Sequence, residues 1–237
     1  MSTDWKELER RIARVTNGRR RPVAVSFLDA EPANIQKFEG SVPSGCSFWR
    51  LAADGRTFYT LPENHFNCAV GAYTHNIRLS ADRENETEQT LKMMFELGYV
   101  KPEEVPQIPR LAKRPTAILY APLGDTPAAP DAVLAVCKPV GAMLLEEAAG
   151  RAGVGTTLAL LGRPTCMALP AVLQHGTVAS LGCIGNRVYT GLADEEMYVV
   201  VRGRDLEAVA EALETIENAN AALESYARER RHQLSRI

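Results

Sequence analysis

Several signatures that would assign a reaction outright are missing from this 237-residue chain. No pair of glycines separated by four residues runs into Lys and Ser/Thr, so a phosphate-binding P-loop is excluded. The scattered glycines between Gly150 and Gly155 do not form a dinucleotide fingerprint, and no Gly-x-Ser-x-Gly elbow is present. Cysteines are few, five in all, and no two lie two to four residues apart, which excludes the tight loop that presents two thiolates to one metal. Their odd number argues against a disulfide framework. No apolar run approaches the roughly 18 to 20 residues needed to cross a bilayer. Met1 to Arg11 is polar and charged, without the apolar core of a secretory signal, so a cytoplasmic protein is expected. A formal charge of −2 gives no electrostatic case for nucleic acid, and the local runs Arg10-Arg11, Arg19 to Arg21 and Arg228 to Arg231 read as solvated faces.

What is present describes an ordinary folded chain. With 46% hydrophobic and 24% charged residues, it reads as a single unit spanning 1–237. At this length folding buries roughly 70 to 75% of the surface of the unfolded chain, so a metal is not needed as a clip. Trp5, Leu8, Ile12 and Val15 recur at helical spacing within Asp4 to Val15, with Asn17-Gly18 as a stop. Val23 to Leu28 is a β-branched and aromatic run of strand character, and Arg114 to Tyr120 repeats the flavour of Arg21 to Phe27. Gly40 to Gly71 reads as irregular, Glu84 to Leu97 as a helix ended by Gly98, Ala132 to Cys137 as a strand, and Val140 to Ala149 as a helix closed by Gly150. Met197 to Val201 is a strand, and Asp205 to about Arg231 a long helix too polar in its last turns to be core. The expected fold is therefore α/β or α+β, a small mixed sheet with a long C-terminal helix. Its two halves, 20–110 and 113–203, have the look of related lobes.

The cysteines carry the strongest hint of chemistry. Cys46 is followed by Gly55, Cys68 and Tyr73-Thr74, and Cys166 by Gly176, Cys183 and Tyr189-Thr190. If the two neighbourhoods are equivalent, folding brings two thiols from each to one site. Four thiolates favour an iron-sulfur cluster, zinc or copper(I) over hard cations. Glycines beside them, Gly45, Gly71, Gly182 and Gly185, permit close backbone approach and supply amide donors. His65 precedes Cys68 and His175 precedes Cys183, each a candidate ligand or proton donor. Arg187 is a candidate clamp for an anionic substrate or a counter-charge to a cluster. Phe48, Trp49, Phe58 and Tyr59 are candidates to line a ligand pocket.

The runs Pro130 to Leu134 and Ser180 to Arg187, the triplet Glu195-Glu196-Met197, the opening Pro22 to Val25, and the cysteines with Gly71 and Tyr73 together resemble the family catalogued as Domain of Unknown Function 169. The likeness covers roughly Asp4 to Leu213. It implies that Cys46, Cys68, Cys166 and Cys183 occupy the characteristic cysteine positions of the family and that Cys137 does not; it implies no reaction. The leading expectation is a protein that binds an iron-sulfur cluster, most simply 4Fe-4S, through those four cysteines. Such a centre would exchange electrons with a redox partner protein or act on a small-molecule substrate, as an oxidoreductase or lyase. Two alternatives stand beside it: a small-ligand binding module with structural zinc or merely buried cysteines, and a dithiol redox protein. Assembly into a homo-oligomer is left open.

Overall fold

The structure, a computed structural model, describes residues 3–16, 20–154 and 159–235. The Asn17-Gly18 stop, Arg19 and Gly155 lie outside the described residues. Two apolar runs become the centre of the sheet. β1 (Val23–Leu28) and β4 (Ala132–Cys137) pair antiparallel, with Ala24 opposite Val133. Outward from β1 lie β3 (Ala117–Pro122) and then β2 (Phe58–Thr60). Outward from β4 lie β7 (Met197–Arg202), β6 (Val178–Ser180) and β5 (Ala159–Leu161), giving the order β2-β3-β1-β4-β7-β6-β5. Every pairing is antiparallel except that of β5 with β6. The sheet is mixed, and the α/β expectation holds.

Side chains alternate along the strands, so the sheet feeds two cores. Ala24, Val133, Ala135, Cys137, Val199 and Val201 face one layer of helices. That layer is α1 (Trp5–Ala13), α5 (Pro139–Arg151) and the first half of α8 (Leu206–Leu234). α1 begins where the Asp4 carboxylate accepts the amide of Glu7 at 3.0 Å, and it buries Leu8 and Ile12. α5 runs through Gly150 to Arg151 rather than ending at it, because a glycine one residue from a helix end costs little. α8 buries Leu206, Val209, Ala210 and Leu213, then extends beyond the body with Leu223, Tyr226 and Leu234 exposed. No helix among the described residues is long and apolar enough to cross a membrane.

Val23, Val25, Ile118, Tyr120, Leu134, Val178, Tyr198 and Val200 face the other layer. It contains α2 (Cys46–Ala53), α3 (Ala69–Thr74), α6 (Ala168–His175) and α7 (Ile184–Thr190). Much of the segment read as irregular is therefore ordered, since α2, β2 and the first turn of α3 fall within it. α2, with the sequence Cys-Ser-Phe-Trp-Arg-Leu-Ala-Ala, is buried at six of its eight residues and so has no polar face for a period to reveal. α4 (Ala81–Glu96) follows α3 and has no fully buried residue.

Apart from α4 in the first half and α5 with β5 in the second, the chain takes a similar path on either side of the β1–β4 pair. A central strand leads to a helix of eight residues (α2, α6), a strand of three (β2, β6), a shorter helix (α3, α7), and a strand that inserts beside the central one (β3, β7). The Arg21 and Arg114 runs, expected to be equivalent, become β1 and β3, which pair with each other; the counterpart of β1 across the centre is β4. The shared apolar character of the two strands reflects that both are buried in the sheet.

Candidate functional site

Cys46, Cys68, Cys166 and Cys183 each stand at the start of a helix. Cys46 is the first residue of α2, Cys68 caps α3, Cys183 caps α7, and Cys166 lies in the 3-10 turn Thr165–Met167 that leads into α6. The helices cross between halves, α2 packing against α7 and α3 against the turn that carries Cys166. That crossing draws the thiols together. Burial raises the Cys46 thiol far above its ordinary pKa, and negative charge at Cys68 and Cys183 would raise it further. Cys166 is raised in the same way by burial and then by Cys46, Cys68 and Cys183. Cys46 and Cys166 are buried, whereas Cys68 and Cys183 are half-exposed. All five cysteines are free. Cys137 stands apart on the α1, α5 and α8 side; burial pushes its thiol up to about 12, and its charged neighbour is Glu196. Among the described residues, no group of three or more His, Cys, Asp or Glu is arranged to hold a metal ion.

Local geometry explains two of the positions. The amide of Gly71 donates to Cys68 Sγ at 3.3 Å, and a Cβ at Gly71 would stand 2.9 Å from that sulfur, so only glycine leaves the thiol its place. Gly182 has φ +78°, which turns the chain from β6 into α7, and the amide of Cys183 then donates to Thr165 Oγ1 at 2.5 Å. That bond ties the two second-half cysteine loops together.

Buried polar atoms without partners gather on this side. Asn186, 2% exposed, lowers the Cys46 thiol and lies beside Tyr198, yet neither its amide nitrogen nor its oxygen completes a hydrogen bond. The hydroxyl of Tyr120 is fully buried and unpartnered; burial raises its pKa, and charge on Cys46, Cys68 or Cys166 would raise it further. An orphaned buried donor costs about 1–3 kcal/mol, and two beside a thiol cluster mark a place where a group rich in acceptors is suited to bind.

The histidines divide. His65 is buried against Phe48 at 4.9 Å between ring centroids; its Nε2 meets Thr60 Oγ1 at 2.9 Å, while Nδ1 is unpartnered and faces Gly45, next to Cys46. Burial holds it neutral, well below the usual imidazole range. His75, which no spacing singled out, lies 5.8 Å from His65 between centroids; its Nδ1–H donates to Gly71 O at 2.7 Å, and burial pulls its pKa down to about 4. His175 is exposed at the far end of α6 from Cys166, roughly 12 Å along a helix of eight residues. Arg187 is not arranged as a substrate clamp: its guanidinium donates to the carbonyls of Ala193, Leu181 and Glu196, holding the loops on either side of α7. Phe48 and Phe58 are buried core, Tyr59 donates to Glu31 at 2.8 Å, and Trp49, also buried, borders a narrow hollow with Arg20, Arg50 and Thr190 whose lining does not include Cys46.

A family model described as "Uncharacterised ArCR", DUF169, matches residues 11–212. An uncharacterised protein of Methanocaldococcus jannaschii is 28% identical over 179 residues, covering 71% of this chain and 75% of the relative. No solved structure matches. The family match spans the whole cysteine framework, and the chain belongs to the DUF169 family.

Proposed function

We propose that this protein binds an iron-sulfur cluster, most simply 4Fe-4S, through Cys46, Cys68, Cys166 and Cys183, and uses it to pass electrons. The observation that carries the reading is that four free thiols from both halves stand at helix starts whose packing crosses between the halves, α2 on α7 and α3 on the turn that carries Cys166. A cluster places iron and sulfide between its cysteines, so its ligands are spread more widely than those of a single ion. Helix starts supply partial positive charge and amide donors to an anionic cluster, and Gly71 N–H, Asn186 and Tyr120 offer further donors. Such hydrogen bonds and burial would set the potential. Cys68 and Cys183 form the accessible edge, flanked by exposed Leu181, Ile184 and Val188, where a redox partner protein could approach.

Protein purified without oxygen should be brown and contain iron and acid-labile sulfide in equal amounts. Cys183→Ala should abolish or severely reduce both, while Cys137→Ala leaves them largely intact. Equal iron in the two variants, or zinc in place of iron and sulfide, would overturn the assignment.

A further inference from the structure

The geometry points to a binding site for a small oxyanion, a carboxylate or a phosphate group, in the cleft between α3 and α4. This inference does not rest on the cluster reading. The cleft has a volume of about 310 Å³, within the range of small-metabolite sites, and is walled by Tyr73, Arg78, Glu84, Arg110 and Arg114 over a floor that includes Ile77. Three guanidinium groups share its wall, and none makes an ion pair with a carboxylate among the described residues.

Two of the three are pre-positioned. Asn76 takes a left-handed conformation at φ 58°, uncommon for a residue with a side chain, just after the cap of α3. This places its carbonyl to accept from Arg114 Nε at 3.1 Å and its side-chain oxygen to accept from Arg110 Nη2 at 3.2 Å. Arg110 also donates Nε to Tyr73 O at 3.0 Å, and its guanidinium stacks 4.3 Å over the Tyr73 ring. Arg110 keeps Nη1 as a further donor, and Arg114 keeps both terminal nitrogens, a planar fork suited to a carboxylate or phosphate. The Arg78 side chain has no hydrogen-bond or ion-pair partner among the described residues, and its charge completes the set. Glu84 on α4 opposes an anion and sets the sign of one test.

The wall includes Ala69, the residue immediately after Cys68. A molecule held by the arginines would therefore lie beside the accessible edge of the thiol site.

Titration calorimetry on the full chain, metal-free and metal-loaded, with inorganic phosphate and with succinate, tests this directly. Saturable one-site binding of at least one anion is expected in both forms. It should weaken about tenfold in Arg78→Gln and in Arg114→Gln, which each remove charge-assisted bonds, and tighten in Glu84→Gln. Arg151→Gln, on the opposite helix layer, should bind as the parent does, and unchanged melting curves would show that the cleft variants are folded. Succinate alone binding would identify a carboxylate site, and phosphate alone a phosphate site. Failure of both anions to saturate, or equal weakening in Arg151→Gln, would overturn the proposal. Anion binding to protein that takes up no iron would leave it standing while the cluster reading fell.

Discussion

Val133 and Leu134 are neighbours in β4, yet they open onto interiors of different character. Val133 faces α1, α5 and α8, where Leu145, Val199, Val209 and Leu213 pack with little need for polar partners. Leu134 faces α2 and α6, in a layer that also buries Trp49, His65, His75, Tyr120 and Asn186, each with at least one polar atom unpartnered. One sheet thus supports an interior with few polar atoms, the unpartnered Ser26 hydroxyl on its side of β1 among them, and another that leaves five larger polar side chains unsatisfied. A protein tolerates the latter at the cost of stability when the site serves another purpose. Cysteine samples both sides: Cys137 is a small apolar filler, and the other four gather on the unsatisfied side.

The largest expected effect that would sharpen this contrast is in metal content. Cys46→Ala and Cys166→Ala, which remove the two buried thiols, should each bring iron from about four per chain to nearly none. Leu145→Ala, in the core of the other face, should destabilise by about 2–5 kcal/mol in chemical denaturation while its folded fraction keeps its iron. If Leu145→Ala lost iron as completely as Cys166→Ala at equal folded fraction, the two faces would not be separable.

The contrast was only half legible in the chain. β1 and β4 fall on the residues that their β-branched runs indicate, because a buried central strand needs little beyond apolar content. The pairing of Cys46 and Cys68 with Cys166 and Cys183 could be read from recurring neighbours, but their placement at helix starts could not. α2 is apolar nearly all round, and α3 and α7 have fewer than eight residues, too short to show a period. His175 was drawn in by nearness in sequence to Cys183, and α6 carries it away. His75 escaped because its role depends on folding back to Gly71 O, which has no sequence signature; Asn186 was visible in the run around Cys183, but its burial was not.

Acid should act on the unsatisfied face first. His75 is buried and neutral with a pKa of about 4, against an ordinary 6.5 in the unfolded chain. Because the folded value is the lower one, protonation favours unfolding: the contribution is complete above about pH 6.5 and is lost as pH falls toward 4, up to about 3 kcal/mol. His65, lowered by burial and then by His75, adds in the same direction. Urea midpoints of the metal-free protein should therefore drop between pH 7 and pH 4.5, and His75→Gln should flatten that slope. An unchanged slope would place acid sensitivity elsewhere.

The smallest effect is the most discriminating. Cys137 lies at the end of β4 with its Cβ against Gly141 in the next helix; a Cβ on Gly141 would stand 3.0 Å from it and 2.0 Å from Val15 O. Backbone this close cannot be spread without cost, so Cys137→Ala leaves a sulfur-sized void that is only partly filled. The expected penalty is about 1 kcal/mol, that of a small hydrophobe shortened by one atom. Iron content and visible absorption should be those of the parent. A normal stability with depleted iron would mean that Cys137 feeds the thiol site through the sheet, and the division between the faces would fail at its simplest point. A small loss of stability with full iron would show that one residue type serves packing on one side of the sheet and chemistry on the other, according to whether its neighbours leave polar atoms unpaired.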